Sequence, residues 1–523
     1  MAAKSKSIVA GMTVLGLAGI ICKLVGVLFS IPLTWLIGAD GLGVFQAVFP
    51  TYNLLLTVSS AGLPVAVSRM VSHALAKDDP RSAKRVFRVA LCLLTALGCV
   101  CTIVMLAGSG LLAQRVSQPE SQLGFQVIAP CVAIVCMLSA FRGFMQGQQN
   151  MTPTAISQLI EQVGKVFISL PLAYFGARIS IAHGAAGALL GITIVEALAL
   201  VYMVILYFRR RGDFDALPQL SDEAPQPALS LASRLMVISI PITIGACIVP
   251  LSQFIDSAML IDRMVASGMT MAQARPVYGL FTGLVIRLIN IPTALALAVS
   301  MSLVPAISSA RAVEDYEGIN RQSDLGMRFA FLIGLPCSIG MSLLAKPIVA
   351  FFYQETLTAE HLQIASELLS VSSLTVVLFT VVQATTSILQ GLHKQRIPMY
   401  TLLAGVICKV ALNYILVGIP GIGIHGAPIS SIVCYTVSML PNIYYVLKYG
   451  KVKLNWMGWI VRPGIATAAM GVAVWAMREL LPMNRILTIL EVGAGVAVYV
   501  AVALAVKAVS LSDFRSLRRR KKG

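Results

Sequence analysis

The chain has 523 residues, 57% of them hydrophobic and 12% charged, with a mean hydropathy of +0.84. Soluble chains carry roughly 25% charged residues, so the composition excludes an ordinary soluble enzyme and marks an integral membrane protein. The net charge of +18, from 40 Lys+Arg against 22 Asp+Glu, would suggest nucleic acid in a soluble chain; here it has first to be set against the positive-inside bias.

A hydrocarbon core of about 30 Å needs roughly 20 apolar residues per helix. That ruler predicts fourteen spans, at 8–36, 42–70, 87–112, 122–144, 153–176, 184–208, 234–256, 278–307, 327–352, 363–390, 398–418, 426–447, 457–477 and 486–508. The first follows Lys4 and Lys6 as a signal peptide would, but it is too long and Lys23 interrupts it, so it reads as a retained helix. The longest stretch without an apolar run, 209–233, leaves no room for a soluble catalytic domain.

With both termini cytoplasmic, the inner side collects Arg69, Lys77, Arg81, Lys84, Arg85, Arg88, the run Arg209-Arg210-Arg211 and the tail Arg518 to Lys522. The outer side holds Arg115, Arg178, Arg263, Arg275, Lys346, Arg478 and Arg485, and Lys23, Lys165, Arg287 and Lys409 remain inside spans. The excess charge is therefore chiefly topological, no nucleic-acid partner is expected, and the basic tail belongs at the inner face beside anionic lipid. All ten cysteines fall in apolar spans without ligand spacing, so neither a disulfide scaffold nor a metal site is indicated.

The second half echoes the first at an offset of about 240 residues. Gln146-Gly147 precedes Lys165 by nineteen residues and is followed by His183-Gly184-Ala185; Gln390-Gly391 precedes Lys409 by nineteen and is followed by His425-Gly426-Ala427. Leu63 to Ser68 likewise resembles Val304 to Ser308. The predicted fold is an all-α integral membrane protein of about fourteen helices: two six-helix lobes related by a parallel pseudo-two-fold repeat, plus two C-terminal helices. Its divisions are an N-lobe at 1–208, a cytoplasmic linker at 209–233, a C-lobe at 234–448, and a final helix pair with basic tail at 449–523. Parallel repeats are an arrangement of transporters that rock around a central substrate site.

Charges within the bilayer cost about 2.5–3.5 kcal/mol each on insertion scales and are expected to face a wet cavity or a partner. Lys23 lies near mid-depth of the first span; Arg287 does so in the eighth, with Asn290 on the same helical face. Both cations are candidates for one anionic ligand, or else form structural ion pairs. Ser157, Glu161 and Lys165 make a polar stripe on the fifth span, where Glu161 and Lys165 have the order of a self-neutralising helical pair and otherwise a gate or coupling site. Lys409 and Asn413 repeat the stripe without its acid, and Glu196, with no partner visible in sequence, is a candidate to take a proton or cation. Asp256, at the outer end of its span, is expected at the interface, with coupling as its other reading. Prolines within spans, such as Pro171, Pro250 and Pro336, predict kinks whose freed carbonyls need local partners. No Gly-x-x-x-x-Gly-Lys-Ser/Thr loop is present, so any transport is expected to run on an ion gradient (Na+ or H+), the membrane potential or substrate disposal, with no other cofactor.

At Arg142 to Val166 (RGFMQGQQNMTPTAISQLIEQVGKV) and Tyr278 to Ala310 (YGLFTGLVIRLINIPTALALAVSMSLVPAISSA) the chain resembles the polysaccharide-transporter branch of the multidrug/oligosaccharidyl-lipid/polysaccharide exporter superfamily, and within it the stage V sporulation protein B group, relatives of the lipid II flippases. The resemblance covers essentially the whole chain. It implies two lobes in a V that flip an undecaprenyl-pyrophosphate-linked saccharide outward across a bacterial cytoplasmic membrane, as a monomer, beside cell-wall synthesis enzymes. Cys22 to Gly26 matches the family's Ser/Thr-Arg-x-x-Gly segment with Lys23 in place of the cavity Arg. Arg287 to Pro292 matches an Arg-Leu-x-Glu-x-Pro segment, with Asn290 in place of the Glu. With cations at mid-depth in both halves, the leading reading has Lys23 and Arg287 neutralise the pyrophosphate, and Asn290 and Asn53 bond sugar or peptide. Two rivals stand beside this reading. A cation-coupled multidrug exporter of the same fold would need an unpaired acid at Glu161 or Glu196. A membrane glycosyltransferase would need carboxylates on substantial external loops, which are short here.

Overall fold

The computed structural model of the chain describes residues 2–215, 226–480 and 484–508; the side chains of 2–24, 27, 211, 213, 215, 298, 299 and 301 lie outside the described set. All regular structure among these residues is helical. Inside a hydrocarbon layer each backbone N–H and C=O must be satisfied within the protein, and an α-helix does this within one segment. The chain divides into two compact units, Met1–Gly283 and Leu284–Gly523.

The first unit contains α1 (Ala2–Ser60), α2 (Leu63–Ala76), α3 (Pro80–Ala107), α4 (Ser109–Arg115), α5 (Gln122–Gly147), α6 (Thr152–Gly164), α7 (Leu170–Ala177), α8 (Ile181–Asp215), α9 (Ala228–Ala266) and α10 (Met271–Gly279). Gly38, at φ 67°, breaks α1 into two passages in a backbone conformation that only glycine adopts cheaply. In the second unit, α11 (Ile286–Ala312), α12 (Tyr316–Leu343), α13 (Ala345–Tyr353), α14 (Ala359–Ser372), α15 (Leu374–Gly391), α16 (Arg396–Leu416) and α17 (Gly426–Gly450) are followed by α18 (Arg462–Leu480) and α19 (Arg485–Ala505). The last pair is fastened to α12, where Asp324 accepts from Trp459 Nε1 at 2.7 Å and from Asn455 Nδ2 at 3.0 Å. The basic tail Arg518 to Lys522 lies outside the described residues.

Twelve segments among the described residues are long and apolar enough to cross a membrane. Two of the fourteen expected spans are folded into that number. Leu28–Ala76 runs 49 residues through the Gly38 kink and carries the first two spans, while the fifth is interrupted by a π-helical turn at Lys165–Ser169. Pro171 explains the interruption. It has no N–H to offer the carbonyl four residues earlier and its ring crowds that carbonyl, so the preceding turn widens. The π turn at Met457–Val461 stands in the same relation to Pro463.

Two other prolines free carbonyls that buried tyrosines answer. Pro50 leaves the Gln46 carbonyl without its helical donor, and Tyr278 Oη donates to it at 3.2 Å. Pro336 does the same to Leu332, which accepts from Tyr499 Oη at 2.8 Å.

The sequence repeat has a packing counterpart in each unit. A Cβ on Gly147 would lie 2.7 Å from Val71 Cβ on α2, and one on Gly391 would lie 2.8 Å from Ile307 Cβ on α11. The same glycine therefore seats the same proline-bearing helix twice. The compact units do not divide at the expected linker, however. Span seven, α9, packs along α1 and groups with the first unit together with α10, so the division falls at Gly283 and not between 208 and 234. The glycine contacts between these helices supply the reason.

Candidate functional site

In the first unit, α1, α5, α6 and α8 enclose a cluster of ionisable groups. The turn between α5 and α6 is only a few residues long, so the two helices run antiparallel and residues equally far from the turn meet. Gln146 Nε2 donates to Thr154 Oγ1 at 3.4 Å, and one turn deeper Arg142 Nε donates to Ser157 Oγ at 2.9 Å. One turn further along α6, the Arg142 guanidinium forms an ion pair with Glu161. Both partners are nearly buried, with side chains 14% and 10% exposed. The helical pair expected between Glu161 and Lys165 is replaced by this bond across the hairpin. Arg's planar fork binds Ser157 and Glu161 together, whereas Lys165 offers a single point charge.

Glu196 on α8 completes the cluster. It is 6% exposed, its electrostatic neighbours are Glu161, Lys165 and Arg142, and its Oε2 has no hydrogen-bond partner among the described residues. Tyr52 on α1, 4% exposed, closes the other side, its hydroxyl 3.2 Å from Cys131 Sγ. Two carboxylates thus sit with two cations in a four-helix core. Such a group binds or releases a cation or proton at the cost of rearranging its own pairs. Sequence reasoning missed Arg142 because it stood near the end of span four and counted as a boundary charge. The signal was its symmetry with Ser157 and Glu161 about the turn.

The other expected residues are distributed as follows. Lys23 lies on α1, and its side chain is outside the described residues; three residues on, a Cβ at Gly26 would lie 3.6 Å from Gln162 Oε1 of α6. Asn53 is half-buried and donates to Gln253 Oε1 of α9 at 3.4 Å. Asp256 is 9% exposed with Tyr278 as an electrostatic neighbour, and α9 continues beyond it to Ala266.

In the second unit, Arg287 follows the π-helical turn Leu280–Val285 at the start of α11 and is half-buried, with Tyr353 of α13 as its electrostatic neighbour. Asn290 is exposed. Lys409 is half-buried, and its companion Asn413, fully buried, accepts from Ser430 Oγ of α17.

A seam joins α9 and α10 to α1 and α2 within the first unit. At one end a Cβ on Gly62 would lie 2.2 Å from the Ser239 carbonyl oxygen, and the Gly62 N–H donates to Thr243 Oγ1 at 3.1 Å. At the other, a Cβ on Gly279 would lie 2.5 Å from Gly43 N. There Gln46 Nε2 donates to the Thr282 carbonyl at 2.7 Å, Gln118 Nε2 to the Gly43 carbonyl at 3.3 Å, and Arg275 Nε to the Ser117 carbonyl at 3.3 Å.

A multi-pass helical chain with buried, balanced charge inside its helix bundle has the architecture of a membrane transporter. The chain belongs to the polysaccharide biosynthesis protein family, whose family model matches residues 8–311, and the MatE family model matches residues 241–415. It is 25% identical over 463 residues to "Lipid II flippase MurJ" of Bacillus subtilis (strain 168), covering 85% of this chain and 83% of that protein. To "Stage V sporulation protein B" of the same organism it is 25% identical over 421 residues, covering 80% of each. Among solved structures, one described as "Lipid II flippase MurJ, inward closed conformation" matches with a TM-score of 0.72 at 12% identity, covering 94% of this chain and 97% of that one. An inward-facing multidrug resistance MATE family transporter of the MOP superfamily matches with a TM-score of 0.69 at 16% identity, covering 83% of this chain and 96% of that one. The chain is thus a multi-pass membrane flippase or transporter of the MOP superfamily.

Proposed function

We propose that the chain flips an undecaprenyl-pyrophosphate-linked saccharide across the cytoplasmic membrane of a bacterium by alternating access. The observation that carries this reading is its similarity to the lipid II flippase over most of both chains, with cations retained mid-span at Lys23 and Arg287 where the family segments place them. Lys23 and Arg287 neutralise the pyrophosphate during passage, Asn53 and Asn290 bond the sugar or peptide, and the lipid tail stays in the bilayer. A ligand of about two negative charges suits two charge-assisted contacts. Purified Lys23→Ala and Arg287→Ala proteins in liposomes should each lose at least tenfold in flipping of labelled precursor. Full-rate flipping by normally folded variants would remove the assignment.

Glu196 is the acceptor for a coupling Na+ or H+, with Glu161 and Lys165 as its switching neighbours. This rests on its burial and its unbonded Oε2. Glu196→Gln keeps the volume and removes the charge, so flipping should continue but cease to respond to an imposed ion gradient. An unchanged response would move the coupling elsewhere. The second reading, a cation-coupled drug exporter, is favoured by the same buried acid and opposed by the Arg142 guanidinium bonded beside it.

A further inference from the structure

A concavity of the first unit lies away from the charge cluster, where the end of α2, the start of α3 and the early turns of α9 converge, with a volume of about 630 Å³. That is the size of a small-molecule site. Arg69 and His73 of α2 lie one turn apart on one face, Lys77 caps the end of that helix, and Arg234 of α9 joins them in the lining. One carboxylate, Asp79, also lines the cavity, but it is buried and accepts from the Ser82 N–H at 2.9 Å as the cap of α3. Apolar lining comes from Leu231 and Val237, which flank Arg234 on α9; Val237 is 69% exposed on a helix that reads as membrane-spanning.

We infer that this cavity holds the phosphate of an anionic phospholipid of the leaflet it faces, which the charge bias assigns to the cytoplasmic side. Basic pockets between transmembrane helices on that side are suited to lipid headgroups. A soluble phosphate would gain nothing from the apolar wall, whereas a lipid lays its first acyl carbons against Val237. The flipped substrate is the less suitable occupant, because these cations stand near helix ends at headgroup level, while Lys23 and Arg287 lie mid-span. Arg69 and Arg234 are both exposed, so the site should be salt-sensitive and tolerant of Arg-to-Lys exchange. The inference does not depend on what the chain transports.

The test is lipid retention by the purified full-length protein, read by native mass spectrometry after exchange into mixed micelles of phosphatidylglycerol and phosphatidylethanolamine. The wild type should retain phosphatidylglycerol at least tenfold over phosphatidylethanolamine, Arg69→Gln/Arg234→Gln should lose most of that preference, and Arg69→Lys/Arg234→Lys should keep it. Equal retention by the glutamine variant, or equal loss in both variants, overturns the inference. So does displacement of the lipid by inorganic pyrophosphate at equal concentration, or retention of undecaprenyl pyrophosphate alone.

Discussion

Replacing Arg142 with alanine should both unfold the protein more readily and stop transport. Removing one member of a buried ion pair leaves the other charge uncompensated, at a cost of about 3–5 kcal/mol. Here the orphan would be Glu161, 7% exposed, beside a second buried carboxylate, Glu196, with Lys165 the remaining cation named beside them among the described residues. Ser157 would lose the Arg142 Nε–H as well, so the α5–α6 hairpin loses two rungs at once. Thermal unfolding in detergent should fall markedly for Arg142→Ala, and Arg142→Ala/Glu161→Gln should recover much of the loss by removing the stranded charge. A melting temperature for Arg142→Ala matching the parent's would show that the ion pair does not organise this core.

Gly279→Leu should separate α10 from α1. A Cβ at 279 meets Gly43 N at 2.5 Å and the Ala39 carbonyl oxygen at 2.7 Å, and both obstacles are backbone, which cannot swing away. Opening this contact would also strain the neighbouring bonds from Tyr278 to the Gln46 carbonyl and from Gln118 to the Gly43 carbonyl. Gln118 is fully buried, so a cysteine placed there reports on the seam. In a Gly279→Leu background, maleimide labelling of Gln118→Cys, resolved by peptide mass, should accelerate at least tenfold over the Gln118→Cys parent, and flipping should fall. Unchanged labelling would mean that α1 and α10 need not touch for this end to stay shut.

Much of the fold can be read from the sequence because each span is a local property. An apolar run of membrane length names a helix, and the loop cations orient it. The repeat is similarly legible, since Gly147 and Gly391 seat their partner helices alike. What escaped was decided between helices. Spacing on one helix pairs Glu161 with Lys165, but the stronger partner, Arg142, sits across a hairpin whose register is set by the turn. The repeat places α9 with the second half of the chain, yet the glycines at 62 and 279 let it and α10 close on α1 and α2. α9 likewise runs on to Ala266, well past the end of its apolar window at 256. The π turn at Lys165–Ser169 needed the ring of Pro171, a steric effect that no hydropathy window registers.

Whether the cargo is a lipid-borne pyrophosphate saccharide is decided with purified wild-type protein in liposomes. Fluorescent undecaprenyl-pyrophosphate-linked saccharide, loaded in both leaflets, should become accessible to a membrane-impermeant reagent at a rate that rises with protein density, while a lipophilic cation in the same vesicles moves no faster than in protein-free controls. Transport of the cation with the labelled precursor left in place would contradict the account and establish the drug-exporter reading instead.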